Sequence, residues 1–230
     1  MTTSEPSAPM SLPILSLAEA RVLGVLMEKQ RTVPDTYPLT LNTLLSGCNQ
    51  KTSRNPVLDL SEAQIQDALD QLRARSFVAE SSGGRVMRYA HNADGVLRVP
   101  SQSLAILTVL MLRGPQTAGE LRIATERMHN FADTSSVEAF LDELAERPAG
   151  ALVARLPRLP GAREHRWMHL LSGDAPQAVA AMDAPVLASD PTGDVAALRA
   201  QVGRLEGQVA TLQATVARLC AELGVDADAS

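Results

Sequence analysis

The chain has 230 residues, 21 Lys or Arg against 26 Asp or Glu, a net charge of −5 and 45% apolar residues. That length holds one ordinary domain or two small ones, each able to bury its own core. Two cysteines, Cys48 and Cys220, exclude a disulfide framework and a four-cysteine zinc site. The N-terminus has no basic stretch leading into an apolar one, and Leu104 to Leu112 reaches about half a membrane span. The expectation is a cytoplasmic protein with no membrane partner.

Residues 1–15, rich in Thr, Ser, Ala and Pro, read as a disordered tail. Ser16-Leu17-Ala18-Glu19 is a capping box, and Ala18, Val22, Val25 and Leu26 follow at helical spacing, which predicts a first helix to about Lys29. Pro34 and Pro38 bracket a turn. Leu39, Leu41, Leu44 and Leu45 then suggest a short second helix ending near Gly47. After the polar run Asn49 to Pro56, Ser61-Glu62-Ala63-Gln64 caps a third helix buried on Ile65, Ala68, Leu69 and Leu72. Phe77 to Glu80, a Ser81-Ser82-Gly83-Gly84 turn and Arg85 to Tyr89 read as a hairpin.

Three helices and a hairpin make the order of a winged helix, and the pattern recurs. Leu23-Gly24-Val25-Leu26-Met27 corresponds to Leu107-Thr108-Val109-Leu110-Met111, and Ile65, Leu69 and Leu72 to Val137, Leu141 and Leu144. The second copy again offers capping boxes at Thr117 to Glu120 and Ser135 to Glu138, then a hairpin from Leu152 to Leu156 and His165 to Leu171. Residues 174–193 read as a flexible linker. In 194–224, Val195, Leu198, Val202, Leu205, Val209, Leu212, Val216, Leu219 and Leu223 alternate steps of three and four. β-branched residues at a and leucine at d favour a parallel two-stranded coiled coil, hence a dimer; the alternative is a helix folded back on its own chain. The expected fold is mainly α with small β-hairpin wings (α+β): winged-helix domains at 16–93 and 94–173, then the coiled-coil helix.

Tyr37-Pro38-Leu39-Thr40-Leu41-Asn42, Cys48-Asn49-Gln50-Lys51 with Arg54 and Pro56, and Arg113-Gly114-Pro115-Gln116-Thr117 with Gly119-Glu120-Leu121-Arg122 give the chain a likeness. So does Arg155-Leu156-Pro157-Arg158 with Pro160-Gly161. Over residues 16 to 173 it resembles the bacterial YceH-like family of unknown function. The resemblance implies a tandem winged-helix protein of the bacterial cytoplasm and no established activity.

A winged helix usually puts its third helix into the DNA major groove. Here the outward faces carry Asp67 and Asp70 in the first copy and Asp142, Glu143 and Glu146 in the second, and carboxylates aimed at phosphates oppose binding. No segment is globally basic, but Arg155, Arg158, Arg163 and Arg166 face only Glu164 in the second hairpin. Arg85 and Arg88 lie in the first hairpin, and Lys51 and Arg54 in the loop before the third helix. These eight cations are the expected phosphate contacts with double-stranded DNA. The alternative is a protein adaptor that uses the acidic faces and the coiled coil.

No catalytic set, metal site or cofactor is expected. His165 and His169 share a strand face but lack a third ligand, His129 reads as a loop packing residue, and Cys48 as a buried structural thiol.

Overall fold

The computed structural model describes residues 14–82, 86–158 and 161–173, all within one unit of the chain, Met1–Val179. Residues 1–13 of the expected tail, the linker 174–193 and the coiled-coil residues Val195 to Leu223 lie outside the described residues, as does Arg85. The end of the expected tail is corrected: Leu15 is buried in the core and its amide donates to the Leu171 carbonyl at 2.6 Å.

α1 (Leu17–Thr32) begins at Ser16, whose hydroxyl accepts from the Glu19 amide while the Glu19 carboxylate accepts from the Ser16 amide. Every residue from Glu19 to Met27 is buried, so α1 has no solvent face in its middle. After a 3-10 turn at Pro34–Thr36 comes β1 (Leu39–Thr40), and Thr40 caps α2 (Leu41–Cys48). Leu39 therefore opens no helix, contrary to the sequence expectation: its backbone pairs with Tyr89 across a sheet, and the helix starts only after the Thr40 cap. α3 (Glu62–Ala74) is capped by Ser61 and Gln64 and buries Ile65, Ala68, Leu69 and Leu72. β2 (Val78–Ser81) and β3 (Arg88–His91) complete an antiparallel sheet ordered β1-β3-β2.

A short α4 (Ala93–Leu97), which the sequence did not suggest, leads into α5 (Ser101–Arg113). α5 ends on Gly114 at φ 72, in the left-handed region that glycine enters without a Cβ penalty. That turn brings Gln116 beside Trp167, and each amide donates to the other's carbonyl, at 3.0 and 2.7 Å. Thr117 then caps α6 (Ala118–Thr125), as Thr40 caps α2. α7 (Thr134–Ala145) is followed by β4 (Val153–Arg155) and β5 (Trp167–His169), paired antiparallel. The expected Ser135 cap is corrected. Asp133 holds the position, accepting from the Ser136 amide at 2.7 Å, because a carboxylate one residue before Thr134 reaches the first turn's free amide.

The described body is thus mainly helical with two small antiparallel sheets, an α+β arrangement. α1 packs directly against α5, and one apolar cluster runs from Leu69 and Phe77 through Val25 and Leu110 to Leu141 and Leu171. α1 and α5 are buried on every side along their middles, α1 with Glu19 and Arg21 held among its apolar residues, and so they form the centre.

Candidate functional site

The second hairpin carries three exposed arginines. Arg155, Arg158 and Arg163 are exposed and line a cleft of about 320 Å³ together with His165, Trp167 and three carboxylates, Glu138 and Asp142 of α7 and Glu164 of the hairpin. None of the three guanidiniums has a carboxylate within ion-pair distance among the described residues. The Arg155 guanidinium lies 6.0 Å from the Trp167 ring centre, a cation–π distance that steadies it. Arg158 Nε donates to His165 Nε2 at 2.9 Å, so the ring must hold its proton on Nδ1, which donates to the Leu156 carbonyl at 3.0 Å. A neighbouring hollow of about 300 Å³ shares Arg163 and Glu164 with this cleft and is floored by Pro157 and Thr117.

Arg166 behaves differently from its three neighbours. It donates to the Pro115 carbonyl at 2.8 Å and pairs with Glu120 at 3.0 Å, which fastens the hairpin to the start of α6. Its charge is engaged in this partly exposed pair.

Arg54 is a clear correction. Its side chain has no exposed surface. Nε donates to Gly47 O at 3.1 Å, and both terminal nitrogens grip Glu28, at 3.1 and 2.6 Å. The Asn49-to-Pro56 stretch has no apolar period and is anchored by its polar groups. Arg21, buried on α1, donates to the carbonyls of Cys48 and Pro56 at 3.0 and 2.6 Å, and the Asn49 amide group exchanges two bonds with the Leu60 backbone. Lys51 remains exposed on this loop, and Arg88 is exposed on β3, donating to Pro38 O at 2.8 Å.

Asp67 on α3, Asp142 and Glu143 on α7 and Glu146 at its C-terminal cap are all exposed. Asp70 is half-buried and pairs with Arg73 at 3.3 Å, which in turn reaches Glu80 of β2 at 2.7 Å; its charge is engaged in this network rather than offered outward.

Burial pushes the Cys48 thiol up to about 12, and Arg21 and Arg54 only partly offset it. A thiol in that state is no nucleophile at neutral pH. Burial pushes the His169 imidazole down to about 4, and His129 packs edge-on against Phe131 at 4.6 Å. Among the described residues no three His, Cys, Asp or Glu side chains gather as a metal site, and no helix is long and apolar enough to cross a membrane.

A cavity of about 280 Å³ where the two halves meet, lined by Lys29, Arg113 and Arg127, was not visible in the sequence. Its parts come from four separate segments, so no local spacing marks it.

A family model described as a protein of unknown function, DUF480, matches residues 15–162. The chain is 56% identical over 230 residues to the UPF0502 protein Bcen2424_5610 of Burkholderia cenocepacia (strain HI2424), covering 99% of this chain and 97% of that one. It is 61% identical over 201 residues to a UPF0502 protein of Dechloromonas aromatica, covering 87% and 93% respectively. A family model spanning more than half the chain and relatives matched along nearly their whole length agree: the chain belongs to the DUF480 family of bacterial UPF0502 proteins, a family of unknown function.

Proposed function

We propose that the protein is a non-enzymatic tandem winged-helix protein of the bacterial cytoplasm that contacts the phosphates of double-stranded DNA through its second hairpin. The tandem reading is supported by parallel construction in each half: a strand residue paired to the hairpin, a threonine cap, two helices and the hairpin. The observation that carries the DNA reading is the cleft in which Arg155, Arg158 and Arg163 stand exposed and unpaired by carboxylates among the described residues. A guanidinium fork fits a phosphate oxygen pair, and three exposed guanidiniums offer such forks; Glu138, Asp142 and Glu164 in the same cleft oppose the binding and limit its strength. Lys51 and Arg88 extend the contact set on the first half; Arg54, wholly buried, and Arg166, already paired with Glu120, do not. The acidic outward residues of α7 argue that this helix does not read bases in the major groove. Two chains pair through the heptads of residues 194–224.

The same outward carboxylates favour the second reading, a protein adaptor. One comparison separates the two. Arg158→Glu with Arg163→Glu weakens binding to a short duplex about a hundredfold, because it removes two charge-assisted phosphate bonds and adds repulsion. Neutralising Asp67, Asp70, Asp142 and Glu143 leaves that binding intact or tightens it. Unchanged duplex affinity in the hairpin variant overturns the DNA reading.

A further inference from the structure

The polar cavity of about 280 Å³ at the seam between the two halves lies apart from the hairpin cleft. Lys29 closes it from the last turn of α1, Gln50 and Ser53 from the anchored loop, Arg113 from the end of α5, and Arg127 from just beyond α6. Glu28 is the carboxylate in its wall. It lies 3.6 Å from Lys29, and its charge is answered from behind by the wholly buried Arg54 at 2.6 Å. Three cations therefore look into a space whose negative group is already paired.

Cations in the last turn of a helix offset the negative pole of that helix, and this accounts for one such residue at each end. It does not account for their gathering around a polar hollow. Nor does it account for Ser53, which holds a left-handed backbone at φ 59, a conformation that costs a non-glycine residue about 1 kcal/mol. In that conformation its hydroxyl accepts from Arg113 at 3.0 Å, which fixes the guanidinium at the cavity rim and leaves the hydroxyl proton free to donate. The side chains of Gln50 and Thr52 add donors without another partner among the described residues.

We infer that this seam cavity binds a small phosphorylated anion, held by Lys29, Arg113 and Arg127 with the Ser53 hydroxyl. The space suits a phosphate or pyrophosphate group with a small substituent and is below the usual size of a site for a larger cofactor. Because α1, α5 and the anchored loop all border it, an anion there would also tie the two halves together.

The test is calorimetric titration of the full chain with inorganic phosphate and with pyrophosphate at fixed ionic strength. Saturable binding is expected, weakened about tenfold or more by Arg113→Gln with Arg127→Gln, since two charge-assisted bonds are removed. Arg127→Gln alone, at an exposed position, gives a smaller decrease in the same direction and guards against misfolding of the double variant. In a chain that carries Arg158→Gln with Arg163→Gln, the seam substitutions still weaken anion binding to the same degree, and the seam variant leaves duplex affinity unchanged, so this site and the hairpin cleft fail independently. Heat that does not saturate, or equal anion affinity with and without the seam substitutions, overturns the inference. So does a seam variant that loses duplex affinity but keeps phosphate affinity, which would make the cavity a nucleic-acid contact.

Discussion

Arg54 and Arg158 carry the same guanidinium, yet the first has no exposed side-chain surface and the second lies open in the hairpin cleft. Removing a partner from a buried pair leaves the other charge uncompensated, so Arg54→Ala lowers stability by about 2–4 kcal/mol, somewhat under the fully buried value because Glu28 keeps some exposure. Denaturant unfolding measures it, and Arg158→Ala in the same assay shifts stability by less than about 0.5 kcal/mol. His169 sets a pH dependence. Its ordinary value is 6.5 and burial lowers it to about 4, so the folded chain resists a proton that the unfolded chain accepts. Stability is therefore full above about 6.5 and falls as the pH drops towards 4, by up to about 3 kcal/mol. His91, which burial also lowers, acts in the same direction. His169→Phe flattens the acid limb of a stability-against-pH curve; an unchanged limb contradicts the assignment.

At the scale of elements, caps decide where helices start. Asp133→Ala costs about 1 kcal/mol by thermal unfolding, whereas Ser135→Ala costs a few tenths at most, because the carboxylate and not that hydroxyl meets the Ser136 amide. The helices were legible in the sequence since Ile65, Leu69 and Leu72, and Val137, Leu141 and Leu144, repeat at 3.6-residue spacing, and the acidic outward positions of α7 followed from the same geometry. β1 was not legible: two residues carry no period, and pairing with β3 joins Leu39 to Tyr89, far along the chain. The role of Arg54 was hidden for a related reason. Its partner Glu28 lies 26 residues earlier on another helix, and a loop that is polar in sequence can be solvated or anchored with the same composition.

For the described body as a whole, the governing contact is α1 on α5. The matching runs Leu23 to Met27 and Leu107 to Met111 did not tell that α1 and α5 pack on each other, because a helix buried all round has no distinctive face. Gly24 sits on this seam, where an added Cβ would stand 3.0 Å from Leu112 Cδ2. Gly24→Val overpacks it by about 1–3 kcal/mol, and both halves respond in one calorimetric transition since they share a core. Two separate transitions would contradict a shared core.

The hairpin cleft is tested most directly by the salt dependence of duplex affinity, followed by fluorescence anisotropy from low to moderate salt. The wild-type logarithmic slope is steep, and Arg158→Glu with Arg163→Glu reduces it by about 2, close to 0.9 for each phosphate that is no longer neutralised. A wild-type slope near zero, or the same slope in both proteins, would contradict phosphate binding by this cleft.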